Sequence, residues 1–193
     1  MTRACIAFGL GVLLVLAWPL NPQAHESPVD HVTRTVRMWI ADGNLELTYE
    51  MQLSERAALM ELHGMDRSGN GAIEPAERKA WFEAQAKRLA GQLKGELAGA
   101  ELEFAPVGDV ALKPDFRQLY RFRAKTRPLA FGTHKGRLLD HFSRSYPGVY
   151  RWQPTQAQTG ADLRVLEEPK VDGEDGHPGM VVLAFEVVVR GAP

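Results

Sequence analysis

Asp66, Ser68, Asn70, Ala72, Glu74 and Glu77 stand along one short arc of chain, with the spacing that would wrap oxygen atoms around a hard divalent cation. Calcium takes about six to eight oxygens at roughly 2.3–2.6 Å. Asp66, Ser68 and Asn70 alternate, so a coiling chain would aim three side-chain oxygens inward. Ala72 would offer its backbone carbonyl, for which side-chain identity matters little. Glu74 would hold a water or ligate through one, and Glu77 would supply two oxygens at once. Gly71 permits the sharp turn such an arc needs, because it lacks the Cβ that disfavours positive φ. Ile73 is the apolar residue that would tie the arc to a core.

The flanks of this arc supply the elements to position it. Ser54 is a good helix N-cap, and Ala58, Leu59, Leu62 and Met65 then fit one helical face. After the polar arc, Pro75 opens a second helix, at the position where a missing N–H costs nothing. Phe82, Ala86, Leu89 and Leu93 form its apolar stripe, and the helix is expected to end between Gly91 and Gly95. Helix, twelve-residue loop and helix together are similar to the EF-hand family. That resemblance implies one bound calcium ion held by Asp66, Ser68, Asn70, Ala72, Glu74 and Glu77. A polar glycine-rich turn, or a decayed calcium loop, is the bland alternative. Only Asp66 and Glu77 would be direct anionic ligands, and no second loop is visible to pair with the first. A dissociation constant on the order of 10⁻⁵–10⁻³ M is therefore expected. Such a site would stay filled where calcium is plentiful, and its ion would be structural rather than a switch.

The rest of the chain reads as β-structure. Val32, Arg34, Val36, Met38 and Ile40 alternate with Thr33, Thr35, Arg37 and Trp39; after the turn dipeptide Asp42-Gly43, Leu45, Leu47, Tyr49 and Met51 alternate with polar residues. These runs predict a β-hairpin. Further strands are expected around Leu102 and Phe104, over Phe116 to Lys125, Arg137 to Phe142, Val149 to Trp152 and Leu163 to Leu166. Met180 to Val189 is apolar at nearly every position and suggests a central strand covered on both faces, while Glu167 to Gly179 reads as a loop. The predicted fold class is α+β: one antiparallel β-sandwich-like domain spanning residues 25–193. The helix–loop–helix, at about residues 54–94, is inserted between the second and third strands.

Composition narrows the function. The 23 basic and 24 acidic residues nearly cancel, so nothing points to nucleic acid. Residues 1–24 have the layout of a signal peptide: Arg3, the uncharged apolar stretch Ile6 to Ala17, a break at Trp18 and Pro19, and the small residue Ala24. An uncleaved N-terminal anchor is the alternative. Cys5 is the one cysteine and lies within this segment, which leaves the mature chain no disulfide or thiolate chemistry. No later stretch reaches the roughly 20 apolar residues of a membrane span. A periplasmic or secreted location follows. The sequence holds no nucleophile elbow, phosphate loop, zinc-protease helix or dinucleotide fingerprint, and the expectation is a binding protein, not an enzyme.

A second resemblance covers more of the chain. Ala24-His25 at the expected mature start, the loop Asp66 to Glu77 after an early hairpin, Arg137 to Phe142 and Gly148 to Trp152 together resemble the extracytoplasmic N-terminal domain of nickel/cobalt-efflux-type membrane transporters. No transmembrane helices follow here, so transport does not carry over. What the resemblance implies is an alternative role: an accessory or partner-binding protein of a periplasmic nickel, cobalt or copper transport or homeostasis system, with a membrane transporter or other protein as partner. His25, with Glu26 and His31 near it, would then be a transition-metal candidate at the new N-terminus, against the ordinary reading of a frayed end. His134 and His141, seven residues apart, would face opposite sides of a strand. His63 reads as a surface residue, and Asp172, Glu174, Asp175 and His177 as a solvated acidic loop. Arg117, Arg121, Arg123, Lys125 and Arg127 share one parity and form either a solvated sheet face or a face for an anionic partner.

Overall fold

The computed structural model describes residues 32–142, 148–153, 161–172 and 180–190. The signal segment 1–24 and Cys5, the mature N-terminus with His25, Glu26 and His31, and the loop residues Glu174, Asp175 and His177 lie outside the described residues.

Hydrophobic alternation sets the first sheet. Strand β1 (Val32–Ala41) and strand β2 (Asn44–Gln52) pair antiparallel across Asp42 and Gly43, both at positive φ, and Ala41 lies opposite Asn44. A two-residue turn with positive φ at both centres matches the right-handed twist of the strands it joins. Val32, Arg34, Val36 and Met38 of β1 are buried, as are Leu45, Leu47, Tyr49 and Met51 of β2. Helices α1 (Glu55–Met65) and α2 (Pro75–Gln92) follow. The chain then runs directly into β3 (Leu93–Leu97) and β4 (Ala100–Glu103). Two short strands, β5 (Ala105–Pro106) and β6 (Ala111–Lys113), precede β7 (Arg117–Lys125), which lies antiparallel to β2. After β8 (Gly132–Asp140), β9 (Gly148–Trp152) returns to the first sheet beside β1. Strands β10 (Ala161–Val165), β11 (Lys170–Asp172) and β12 (Met180–Val189) complete the second.

The order in the first sheet is β5-β7-β2-β1-β9, with β6 also on β7; in the second it is β10-β12-β8-β3-β4, with β11 also on β12. The two sheets pack against each other in a sandwich-like α+β arrangement. Pairing is antiparallel except between β1 and β9, which run parallel. The chain reaches β9 from β8 in the opposite sheet, so no hairpin constrains its direction.

The helices lie between the second and third strands, as the sequence predicts, and α2 ends at Gln92. They complete the core that the sheets begin. Ala58 and Met65 of α1 and Phe82, Ala86 and Leu89 of α2 join one cluster with Leu47, Tyr49, Phe122, Leu138, Leu183 and Phe185. Strand β12 is central, flanked by β8 on one side and by β10 and β11 on the other. Its burial nevertheless alternates, with Val181, Leu183, Phe185 and Val187 buried and the residues between them only half-buried. One face packs on the core and the other is half-buried. The loop expected from Glu167 to Gly179 contains β11.

A tight spot in the second sheet gives a first prediction. Phe185 is fully buried directly across from Gly136, and a Cβ on Gly136 would lie 2.5 Å from the Phe185 ring and 2.9 Å from the Glu96 carbonyl oxygen. The ring takes the place of the missing side chain. Gly136→Ala should lower unfolding stability by about 1–3 kcal/mol, the range for overpacking, measured by urea denaturation. An unchanged midpoint would show that the ring moves aside freely.

Candidate metal centre

The loop is held between two helices whose ends are defined locally. The Ser54 side chain accepts a hydrogen bond from the Ala57 amide at 3.2 Å and starts α1. Helix α1 stops at Met65, with the Asp66 amide still donating to the Leu62 carbonyl at 3.4 Å. Pro75 occupies the first turn of α2. The two helices meet closely where the Trp81 ring covers Gly64, at which a Cβ would fall 2.7 Å from the ring. Ile73 is half-buried and packs against the core, so the middle of the loop is pinned while its polar residues turn outward.

Within the loop, Gly69 and Gly71 adopt φ of 70° and 80°, which residues with a Cβ disfavour. The resulting coil gathers backbone amides around two carboxylates. Asp66 Oδ2 accepts from the Gly71 amide at 2.8 Å, and its Oδ1 from the Asn70 amide at 3.2 Å. Glu77 reaches back from the first turn of α2: Oε1 accepts from the Ser68 amide at 2.9 Å and Oε2 from the Glu74 amide at 3.1 Å. Ser68 touches both acids, because its hydroxyl also donates to Asp66 Oδ1 at 3.2 Å. Asn70 Oδ1 accepts from the Ala72 amide at 2.8 Å.

Of the six residues expected at the site, Asp66 and Glu77 each contact Ser68, Asn70 bonds Asp66 through its amide, and Ala72 bonds Asn70. Glu74 contributes its amide to Glu77, while its residue is exposed at the N-cap of α2.

These contacts set the electrostatics. The amides, Gly71 foremost for Asp66 and Glu74 foremost for Glu77, hold both carboxyls below the usual carboxylate range. The Asp66 charge acts in the other direction on Glu77 and raises its pKa. Two negative charges are thus kept ionised within reach of each other, with neutral oxygens of Ser68 and Asn70 beside them. Oxygen-only donors with few charges suit a hard cation rather than zinc or copper. Among the described residues no group of three or more His, Cys, Asp or Glu side chains comes together; the loop contributes two acids, and its other potential donors are hydroxyl, amide and carbonyl oxygens.

The remaining sequence candidates are dispersed. His63 is exposed on α1. The His134 ring lies 2.8 Å from the Ala130 carbonyl oxygen, on β8, and His141 follows the end of that strand. The basic stripe of β7 does face outward, but β2 answers part of it. Arg123 donates to Glu46 at 2.6 Å, and Arg117 lies 3.5 Å from Glu50 and 2.9 Å from Asp115. No described helix is long and apolar enough to cross a membrane.

Two buried polar clusters were not anticipated from the sequence. On α1, Glu61 is buried and accepts from the Gln118 side-chain amide, whose oxygen accepts from the Tyr120 hydroxyl at 2.6 Å. This chain ties α1 to β7. Between the sheets, the Tyr49 hydroxyl donates to Asp140 Oδ2 at 2.6 Å, and the Phe142 amide to Oδ1 at 2.8 Å, with Arg34 and Tyr150 nearby. Parity was the available signal. Arg34 shares its face with Val32 and Val36, and Glu61 sits three residues after Ala58 and four before Met65.

No protein-family model matches this chain, and no curated protein matches it.

Proposed function

We propose that this chain is a secreted or periplasmic calcium-binding protein whose single EF-hand-type loop, Asp66 to Glu77, holds one ion that ties α1 and α2 to the sandwich. The observation that carries the reading is the double contact of Ser68, which gathers the Asp66 and Glu77 carboxylates at one point of the coil. Two ionised acids so placed repel each other, and a divalent cation between them turns that repulsion into attraction. Neutral donors at Ser68, Asn70 and Ala72 complete an oxygen set suited to calcium and supply no soft ligand. With two acidic ligands, affinity on the order of 10⁻⁵–10⁻³ M is expected. The ion then acts as a structural clamp wherever calcium is abundant.

Isothermal calorimetry on the mature chain tests this. One calcium per chain should bind in that range. At a calcium concentration of about 100 times Kd, stability should rise by about 2.7 kcal/mol. A calorimetric trace with no saturable heat, and a melting curve indifferent to millimolar calcium, would dispose of the reading.

The pH dependence has a definite sign. Asp66 and Glu77 are both held below the ordinary carboxylate range, so both are ionised at neutral and mildly acidic pH. Calcium binding should be flat from neutral pH down to about pH 5. It should then weaken as pH falls through the lowered pKa values, when protons compete for the two acids. Calorimetry at stepped pH checks this. Loss of binding already between pH 7 and 6 would instead implicate a histidine.

A further inference from the structure

The outer face of the first sheet collects charge of one sign. Register sets its outward side chains in rows: Arg121, Thr48 and Arg37 share one row, and Arg123, Glu46 and Trp39 the next. Arg151 of β9 stands beside Thr35 of β1 on the same side. With Arg117 and Lys125, on the outward parity of β7, the four strands β7, β2, β1 and β9 present six basic residues. Against them stand Glu46 and Glu50, and both acids are already engaged. Glu46 accepts from Arg123 at 2.6 Å, and Glu50 lies 3.5 Å from Arg117 and 3.5 Å from Lys113 of β6. Arg121, Lys125 and Arg151 are exposed, and Arg37 is held by Gln153, a neutral partner. The whole chain has 23 basic and 24 acidic residues, so the excess here is a segregation of charge and not a general basicity. Neighbouring strands lie about 4.8 Å apart. Arg37 and Arg121, two strands apart, therefore stand about one Debye length from each other, and their potentials add.

Apolar side chains are interleaved with these charges. Trp39 and Leu119 are half-buried on the same face, and Val149, beside Thr33, is 48% exposed. At the Lys125 end the chain leaves β7 through residues 126–131. That loop begins at the β1–β2 turn, where the Thr126 amide donates to the Gly43 carbonyl at 2.9 Å. Arg127 is exposed in it, and Phe131 is 77% exposed, more than any other large apolar side chain among the described residues. Cations spread over four strands do not converge on one compact anion. They match an extended layer of anions, and aromatic residues at its margin suit an apolar layer beneath.

We propose that this face docks on an anionic lipid bilayer, with Arg37, Arg121, Lys125 and Arg151 over the headgroup phosphates and Phe131 entering the interface. The contact is surface adsorption, reversible and weakened by salt. None of these residues belongs to the calcium loop.

Flotation of the mature chain with lipid vesicles tests this, in chelator so that calcium bridges nothing. Vesicles containing phosphatidylglycerol should carry the chain at low salt, vesicles of phosphatidylcholine alone should not, and added salt should release it. Arg121→Gln combined with Arg151→Gln changes two exposed side chains and should weaken binding by at least about tenfold. Phe131→Ser should weaken it by about threefold or more, through lost apolar burial. No binding to phosphatidylglycerol vesicles at low salt, equal binding to phosphatidylcholine, or unchanged binding in the arginine double variant would overturn the proposal. So would full retention of vesicle binding in Phe131→Ser, which would leave a face held by charge alone and equally open to a soluble polyanion.

Discussion

Replacing Glu77 by Gln should weaken calcium binding by more than about a hundredfold while leaving the fold intact. The carboxylate does two things in the loop. It accepts from the Ser68 and Glu74 amides, which closes the coil, and it is one of the two negative charges gathered there. Glutamine matches its shape and retains one carbonyl oxygen, so at least part of the closure survives. It cannot supply two anionic oxygens at once. Even groups that only orient metal ligands cost about 10–100-fold in affinity when changed, and a direct bidentate ligand should cost more. Without calcium the variant should be no more stable than the native chain, because the Ser68 and Glu74 amide hydrogen bonds that favour the charged Glu77 outweigh its repulsion from Asp66. Calorimetry and melting in chelator, run side by side, check both halves. Retained affinity would show that calcium sits elsewhere.

The second large effect concerns stability and lies far from the loop. Asp140 is fully buried and connects the sheets, accepting from Tyr49 on β2 and from the Phe142 amide. Asp140→Ala would strand both donors and leave the buried Arg34 guanidinium without its nearby counter-charge. Breaking such a buried arrangement from one side costs about 3–5 kcal/mol, which for a chain of this size lowers Tm by roughly 10 °C or more. Tyr49→Phe, which removes one donor only, should cost about 1–3 kcal/mol. Arg34→Met combined with Asp140→Ala should be less damaging than Asp140→Ala alone, because the double variant leaves no uncompensated charge. Thermal unfolding of the three variants is the measurement. A double variant worse than both singles would mean that Arg34 and Asp140 act separately.

The sequence made some features legible for clear physical reasons. The β1–β2 hairpin was visible because period-2 alternation and Asp42-Gly43 point to the same turn. The two helices and their place in strand order were visible because Ser54 and Pro75 mark helix starts and Phe82, Ala86 and Leu89 repeat at helical spacing. Loop residues were legible as a set because their coil is local: the hydrogen bonds among Asp66, Ser68 and Glu77 span at most nine residues.

Features built from distant segments were not legible in the same way. The parallel β1–β9 pairing joins residues more than a hundred positions apart, and nothing in a five-residue strand states its direction. Strands β5, β6 and β11 are two or three residues long, too short for periodicity. The half-exposed outer face of β12 was hidden because apolar residues occupy both of its parities. The Arg34–Tyr49–Asp140–Tyr150 cluster draws on four strands, and only the parity of Arg34 hinted at it.

Crystals grown in saturating calcium would put the calcium reading to its most direct test, through the anomalous signal of the ion. The account predicts one peak in the coil before α2. Oxygens from Asp66, Ser68, Asn70 and Ala72, and both of those from Glu77, should lie at about 2.3–2.6 Å from it. An occupied calcium peak elsewhere, or a coil whose two acids point apart with no density between them, would contradict it.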